Sequence, residues 1–486
     1  MDKTGSPEDQ KTAQLGATDR LLHNIDPKRE KALVRKLDAF IIPPVMLLYT
    51  LSFLDRVNIG NAVLYGLESD LHLSSTQYQT AVSILFVTYI LSELPSNIIL
   101  KHYVRPSRWI AFLTTSWGII ATLTGITQNY GGFLVCRLML GLVEGGLFPG
   151  LVALLTLFYT KRELALRVGY LFVSAAIAGA CGGLLAYGIG YMDGVAGQRG
   201  WRWILIIEGL PTFILGIACW WILADDPQTA YYLKPEEKEM MLQRLANQPG
   251  QTNSFEWADC RKGLADWKIY VFCAGQFCGD TMLYGFSTFL PTIIKGINPH
   301  ASRALVQVLT IPCYATGAIS YLLVAYLSDR SQQRGIFVCI MGMMSILGYA
   351  LLMADVNFRV HYAGCFLVAL GLYVLVGIPL AWLPSNNPRY GKRTTATGLQ
   401  LTIGNTSGIM ASFLYPTKEG PRFLRGHGVT VSLVAVGVLI YGSMSAYFTA
   451  ENKKRQSGKR DWKTEGMTED EAWALGDENP RYRFTT

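Results

Sequence analysis

The chain has 486 residues, of which 50% are hydrophobic and 16% charged, with 48 glycines and a mean hydropathy of +0.25. A soluble domain carries about 25% charge, so this composition excludes a water-facing globule of this length, a disordered chain and a disulfide-stapled secreted scaffold. The excess apolar surface must face lipid, and the formal charge of +8 reads as a topology signal, with no nucleic-acid partner implied.

The first 37 residues are polar and mixed in charge and contain no cleavable signal peptide, so the first apolar helix must target the chain. A helix needs about 20 apolar residues to cross the hydrocarbon layer. Runs that satisfy this lie near 38–57, 77–100, 108–127, 131–158, 168–191 and 202–223. A polar stretch over 225–266 follows, with an amphipathic surface helix expected over Lys234–Leu245. Six more runs lie near 267–294, 304–327, 336–354, 361–383, 396–416 and 429–449, and a polar tail fills 451–486. The expected fold is all-α and membrane-embedded, with twelve spans in two six-helix halves at 38–224 and 267–450.

Lys and Arg crowd the two tails and the turns at Lys101–Arg108, Lys161–Arg167, Arg330–Arg334 and Arg389–Arg393, whereas Asn58–Ser75 has none. The positive-inside rule therefore places tails and linker in the cytoplasm. Lys418, Arg422 and Arg425 run against that bias. The nine cysteines include no CxxC pair and read as small buried hydrophobes. No metal or cofactor motif and no GxxxxGK[ST] phosphate loop occurs, so no cofactor is expected and ATP-driven transport has no support.

Ionisable residues inside spans carry the most information, because each costs several kcal/mol in hydrocarbon unless paired or wet. They are Asp55 and Arg56, Glu93, Arg137 and Glu144, Glu208 and Asp280. Arg137 and Glu144 are seven apart, which places them on one helix face about 10.5 Å apart along the axis. Each therefore needs a partner on another helix, and Asp55–Arg56 offers the opposite pair of charges. Two acids and two arginines form a neutral, switchable set suited to a proton-coupled carrier; the alternative is a set of structural ion pairs, which suits Arg137 best and Glu144 least. Glu93 and Glu208 read as helix-orienting groups. Tyr89, Gln276, Tyr284, Trp382, Gln400 and Asn405 lie at midplane depth and are candidates to line a solute site. The glycine pairs Gly141/Gly145 and Gly146/Gly150 favour close helix packing, and Pro149 suggests a bend.

Lys36–Pro44 running into Leu51–Ala62, with Leu94–Asn97, Arg105–Trp109, Arg137 with Gly141 and Glu144, Gly200–Trp203, Glu208–Gly209 and the closing Asp477–Phe484, resembles the fungal anion:cation symporters of the allantoate permease type in the major facilitator superfamily. That resemblance covers essentially the whole chain. It implies an alternating-access carrier that takes up a small organic anion with protons, as a monomer in the plasma membrane. It implies that Asp55 and Glu144 handle protons and that Arg56 and Asn405 engage substrate, with Tyr284, Gln276 and Trp382 as further lining candidates. Asp329, with Arg330 and Arg334, matches the superfamily's gating turn in the second half, and Arg137 is assigned a structural or gating role. Asp280 departs from the pattern. Export of a metabolite on the same scaffold, and a non-transporting nutrient sensor, remain the competing readings.

Overall fold

The computed structural model describes residues 26–246, 257–416 and 419–486. The expected cytoplasmic tail over residues 1–25, the centre of the linker and Lys418 lie outside them. Chain order gives α1 (Pro27–Leu64), α2 (Ser75–His102), α3 (Pro106–Thr124), α4 (Tyr130–Glu144), α5 (Leu147–Phe158), α6 (Lys161–Gly190) and α7 (Gly200–Ile222). The linker holds α8 (Pro235–Ala246) and α9 (Trp257–Ala265). The second half contains α10 (Trp267–Ile297), α11 (Arg303–Ser331), α12 (Arg334–Met353), α13 (Phe358–Leu372), α14 (Val374–Ser385), α15 (Tyr390–Ala411) and α16 (Leu424–Gln456), and α17 (Glu469–Ala474) lies in the tail. No strand occurs among the described residues.

Taking α4–α5 and α13–α14 as broken pairs, the described residues contain twelve long helical segments, six on each side of the linker. Eight are long and apolar enough to cross a membrane by length and composition. The other four are α2, α3, α10 and α15. Three of these, α2, α10 and α15, line the central cavity and spend hydropathy on Tyr89, Gln276, Asp280 and Asn405.

The first helix starts eleven residues before its apolar run, because Asp26 caps it, accepting from the Lys28 amide at 2.9 Å, and Pro27 sits where no helical N–H is lost. The fourth apolar run is not one bent helix. It breaks at Gly145–Gly146, and Pro149 falls within the first turn of α5, where its ring is tolerated. The glycines before that break seat α4 on α2: a Cβ on Gly141 would lie 2.2 Å from the Leu85 carbonyl oxygen, and one on Gly145 2.3 Å from that of Tyr89.

The two halves meet most tightly on the side away from the tails. A Cβ on Gly60 would lie 1.9 Å from the Thr288 carbonyl oxygen, so α1 and α10 touch backbone to backbone. Between α11 and α10 the Tyr314 hydroxyl donates to the Ser287 carbonyl at 2.8 Å, while the same ring fills the space beside Gly179 of α6. Arg303 sits 5.7 Å above the Tyr65 ring.

On the tail side each half is clasped separately. Arg244 of α8 pairs with Glu30 at 2.8 Å and with Glu163, Lys36 with Glu237 at 2.6 Å, and Arg167 with Asp38 at 2.7 Å. In the second half the tail forms the clasp. Arg455 donates to the carbonyls of Asp477, Asn479 and Tyr482 at 2.9–3.1 Å, and Asn452 exchanges hydrogen bonds with the Phe484 backbone at 2.8 and 2.9 Å. Buried Asp477 takes Lys268 and Lys392, each at 2.8 Å. Every tail-side pair named here stays within one half.

Two outcomes follow from this packing. Burial alone would push the Asp477 carboxyl up, but the Lys268 and Lys392 ammoniums hold it below its ordinary value. A depressed carboxylate stabilises the fold above its unfolded pKa and loses that contribution as pH falls through the folded one. Asp477→Asn should therefore lower the melting temperature in detergent by a constant amount at neutral pH, and that gap should close only below about pH 4. Gly60→Val should overpack the α1–α10 contact at a cost of about 1–3 kcal/mol or more. The expected readout is protein that still reaches the membrane but has increased thiol labelling of a cysteine placed at Thr288.

Candidate functional site at the seam between the halves

Adjacent helical residues point about 100° apart, and this separates Asp55 from Arg56. Arg56 turns into a cavity at the seam, whereas Asp55 turns away and accepts a hydrogen bond from the Trp117 indole of α3. On the cavity side the Arg56 Nε and Nη2 both reach Glu144 Oε1 at 2.9 Å, and the Ser52 hydroxyl donates to the same oxygen. Glu144 Oε2 has no protein partner. The guanidinium lies 4.7 Å above the Tyr89 ring, a cation–π contact that helps hold a buried arginine.

Of the two cross-helix pairings that the sequence offers, Glu144 with Arg56 forms and Arg137 with Asp55 does not. Glu144, the residue least suited to a structural pair by that reading, is in the ion pair. Arg137 is buried, its Nε has no partner, and it makes no ion pair among the described residues. The reason is rotation on α1: Asp55, the acid that could have met Arg137, is turned to the Trp117 indole, while Arg56 faces Glu144.

The cavity is about 40 Å³ and is lined by both halves. Tyr49, Phe53, Arg56, Tyr89, Phe148 and Phe172 belong to the first half. Gln276, Asp280, Tyr284, Tyr373, Leu401 and Asn405 belong to the second. Binding pockets for small molecules run to several hundred Å³, so the bundle is closed around this site, and admitting a solute requires the halves to part.

Several expected lining residues do come together. The Tyr284 hydroxyl donates to Asn405 Oδ1 at 2.7 Å, and Gln400 Nε2 donates to Gln276 Oε1 at 3.1 Å. Trp382 does not join them. Its indole donates to the Thr485 carbonyl at 2.8 Å, and its ring packs on Phe272, Tyr441 and Phe448 beneath the tail. This correction has a simple cause: Trp382 lies two residues beyond the cavity residue Leu380, and two helical steps turn its side chain about 200° away from that face of α14. Asp329 and Arg334 pair at 3.2 Å and brace the α11–α12 turn, and Arg330 is exposed. Glu93 approaches Asn405 within hydrogen-bonding reach, and Glu208 accepts from the Asn58 amide.

The sequence reading missed Tyr49, Ser52 and Phe53. Their signal was present, because 49, 52, 53 and 56 occupy one face of α1. Phe148, Phe172 and Tyr373 carried no such signal, since they are apolar residues on apolar helices.

A closed two-half helical bundle with a charged cavity at its seam is the architecture of a secondary carrier. The chain belongs to the Major Facilitator Superfamily, whose family model matches residues 45–412. It is 40% identical over 437 residues to an uncharacterized transporter of Schizosaccharomyces pombe, covering 89% of this chain and 86% of that protein. It is also 30% identical over 465 residues to a high-affinity nicotinic acid transporter of Saccharomyces cerevisiae, covering 94% and 85%. Among solved structures, a bacterial homolog of the human lysosomal transporter Spinster superposes with a TM-score of 0.64 at 16% identity, covering 87% of this chain and 98% of that one. The protein is therefore a multi-pass membrane transporter.

Arg56→Ala should strand Glu144 as a buried, uncompensated carboxylate, at a cost of about 3–5 kcal/mol. Arg56→Lys keeps the charge but loses the guanidinium fork. Thermal melting in detergent should rank the two variants accordingly, with Arg56→Ala well below Arg56→Lys.

Proposed function

We propose that this transporter takes up a small organic anion together with protons across the plasma membrane, with its tails on the cytoplasmic side. The observation that carries the reading is the Arg56–Glu144 pair on the wall of the seam cavity. In the closed arrangement the guanidinium is occupied by the protein's own carboxylate. A proton on Glu144 removes that competitor, and a substrate carboxylate can then take its place on Arg56. When the substrate leaves, Glu144 releases its proton and pairs again. Substrate and proton are coupled because both act on one arginine.

Asp55 is the second proton-exchanging carboxyl in this scheme. It is buried on α1 next to Arg56, held by the Trp117 indole and without a cation partner among the described residues. Asn405, held by Tyr284 on the opposite wall, offers an amide to the substrate. The halves then rock about the seam as separately clasped bodies. The nicotinic acid transporter among the relatives carries a carboxylate, which agrees with an arginine site. The Lys and Arg crowding at the tail-side turns supports the orientation.

Proteoliposomes holding the purified chain test this with labelled nicotinate under an imposed pH gradient. Accumulation should require the gradient and collapse when a protonophore is added. Glu144→Gln, which fixes the neutral form, should keep nicotinate exchange while its gradient-driven accumulation falls to the equilibrium ratio. Uptake indifferent to the gradient would refute proton coupling.

A further inference from the structure

The wall of the cavity opposite Arg56 holds a carboxylate that the scheme above does not use. Asp280 on α10 is 5% exposed and lines the cavity. Its Oδ1 accepts from Gln276 Nε2 at 2.9 Å. Among the described residues no cation lies within ion-pair distance of it, and Oδ2 accepts no hydrogen bond. A bundle that needed only a pin between helices would supply a cation here, because a buried, unpaired carboxylate is costly.

The surroundings orient this carboxyl as a receptor group. Gln400 Nε2 donates to Gln276 Oε1, which leaves the Gln276 amide nitrogen to face Asp280. Gly404 of α15 makes the room, since a Cβ there would lie 2.3 Å from Asp280 Oδ2. Gln400 itself is fully buried and does not line the cavity, so Asp280 Oδ2 is the acceptor that this wall presents. A cavity-lining carboxylate oxygen with no donor on it defines a place for an N–H group.

The charge balance points the same way. With Glu144 protonated, Arg56 and a substrate carboxylate neutralise each other, and Asp280 remains as uncompensated charge. A substrate that brings a protonated nitrogen at its other end cancels that charge, and one that brings a neutral N–H supplies the missing hydrogen bond. Between the two walls stand Tyr49, Phe53, Tyr89, Phe148, Tyr284 and Tyr373, and rings of this kind favour a flat solute. We infer that Asp280, held in place by Gln276, recognises a nitrogen donor at the far end of the transported anion, so that the substrate class is a planar carboxylate that also carries an N–H. This inference rests on the seam cavity being the transport site.

Three probes of similar size test it in the same proteoliposomes: 6-oxo-1,6-dihydropyridine-3-carboxylate and 3-aminobenzoate, which each carry an N–H, and benzoate, which carries none. The wild type should take up the two nitrogen-bearing compounds at least about tenfold better than benzoate, because a site built for a donor rejects the analogue that lacks one. Asp280→Asn should bring that ratio close to one while uptake still depends on the pH gradient. A wild-type ratio near one overturns the inference without need of any variant. An unchanged ratio in Asp280→Asn, with gradient dependence lost, would make Asp280 a further proton site and also overturn it. Uptake of none of the three by the wild type would overturn the carrier reading and this inference with it, whereas benzoate uptake that is sensitive to Arg56→Lys would leave the carrier reading standing alone.

Discussion

The buried pairing of Arg56 with Glu144 is the interaction on which the central architecture turns. A guanidinium cannot sit between helices in a low-dielectric bundle unless an anion and a π-face meet it, and here Glu144 and Tyr89 do so. Meeting those requirements brings α1, α2 and α4 to one level. The glycines of α4 set its distance from α2, since Gly141 and Gly145 lie against the Leu85 and Tyr89 backbone, at the level where Tyr89 and Glu144 both meet Arg56. The same arginine that fixes the packing is the group an anion would seek, so structure and binding compete for one side chain.

The contacts between the halves are distributed unevenly along the bundle. On the side away from the tails they are backbone-close, through Gly60 against Thr288 and the Tyr314 ring against Gly179. On the tail side, α8 clasps the first half and the carboxyl-terminal segment clasps the second, each with its own ion pairs. The linker is divided accordingly, with α8 salt-bridged to the first half and α9 to α15 in the second through Asp259 and Arg389. A bundle built this way can part at one end without breaking any of the ion pairs named for the clasps. That is a mechanical asymmetry written in glycine on one side and in charge on the other.

The carboxyl-terminal segment shows how a motif without apparent chemistry earns its place. Asp477 and Asp266 together neutralise two ammoniums, Lys268 and Lys392, at the heads of α10 and α15, and Phe484 lies under Arg455 at 4.4 Å. Trp382, which midplane depth suggested as a substrate contact, instead belongs to this assembly through its bond to Thr485. Hydropathy cannot separate an aromatic that faces a cavity from one that seals a tail, because both are buried rings on apolar helices. Only the partner of the indole N–H tells them apart.

The sequence by itself determined the class of solvent, the helical runs, the division into halves and the short roster of charges inside them. These are properties of local composition, and lipid enforces them residue by residue. Tertiary structure decided which of those charges meet. Asp55 and Arg56 are neighbours in the chain yet part by a third of a helical turn, one toward Trp117 and one toward Glu144, and Arg137 is left without an ion pair. It also decided that Asp280 and Gln276 share one wall of the cavity and that Trp382 does not belong to it. Pairing across helices depends on rotation and depth, and neither can be read from spacing along a single helix.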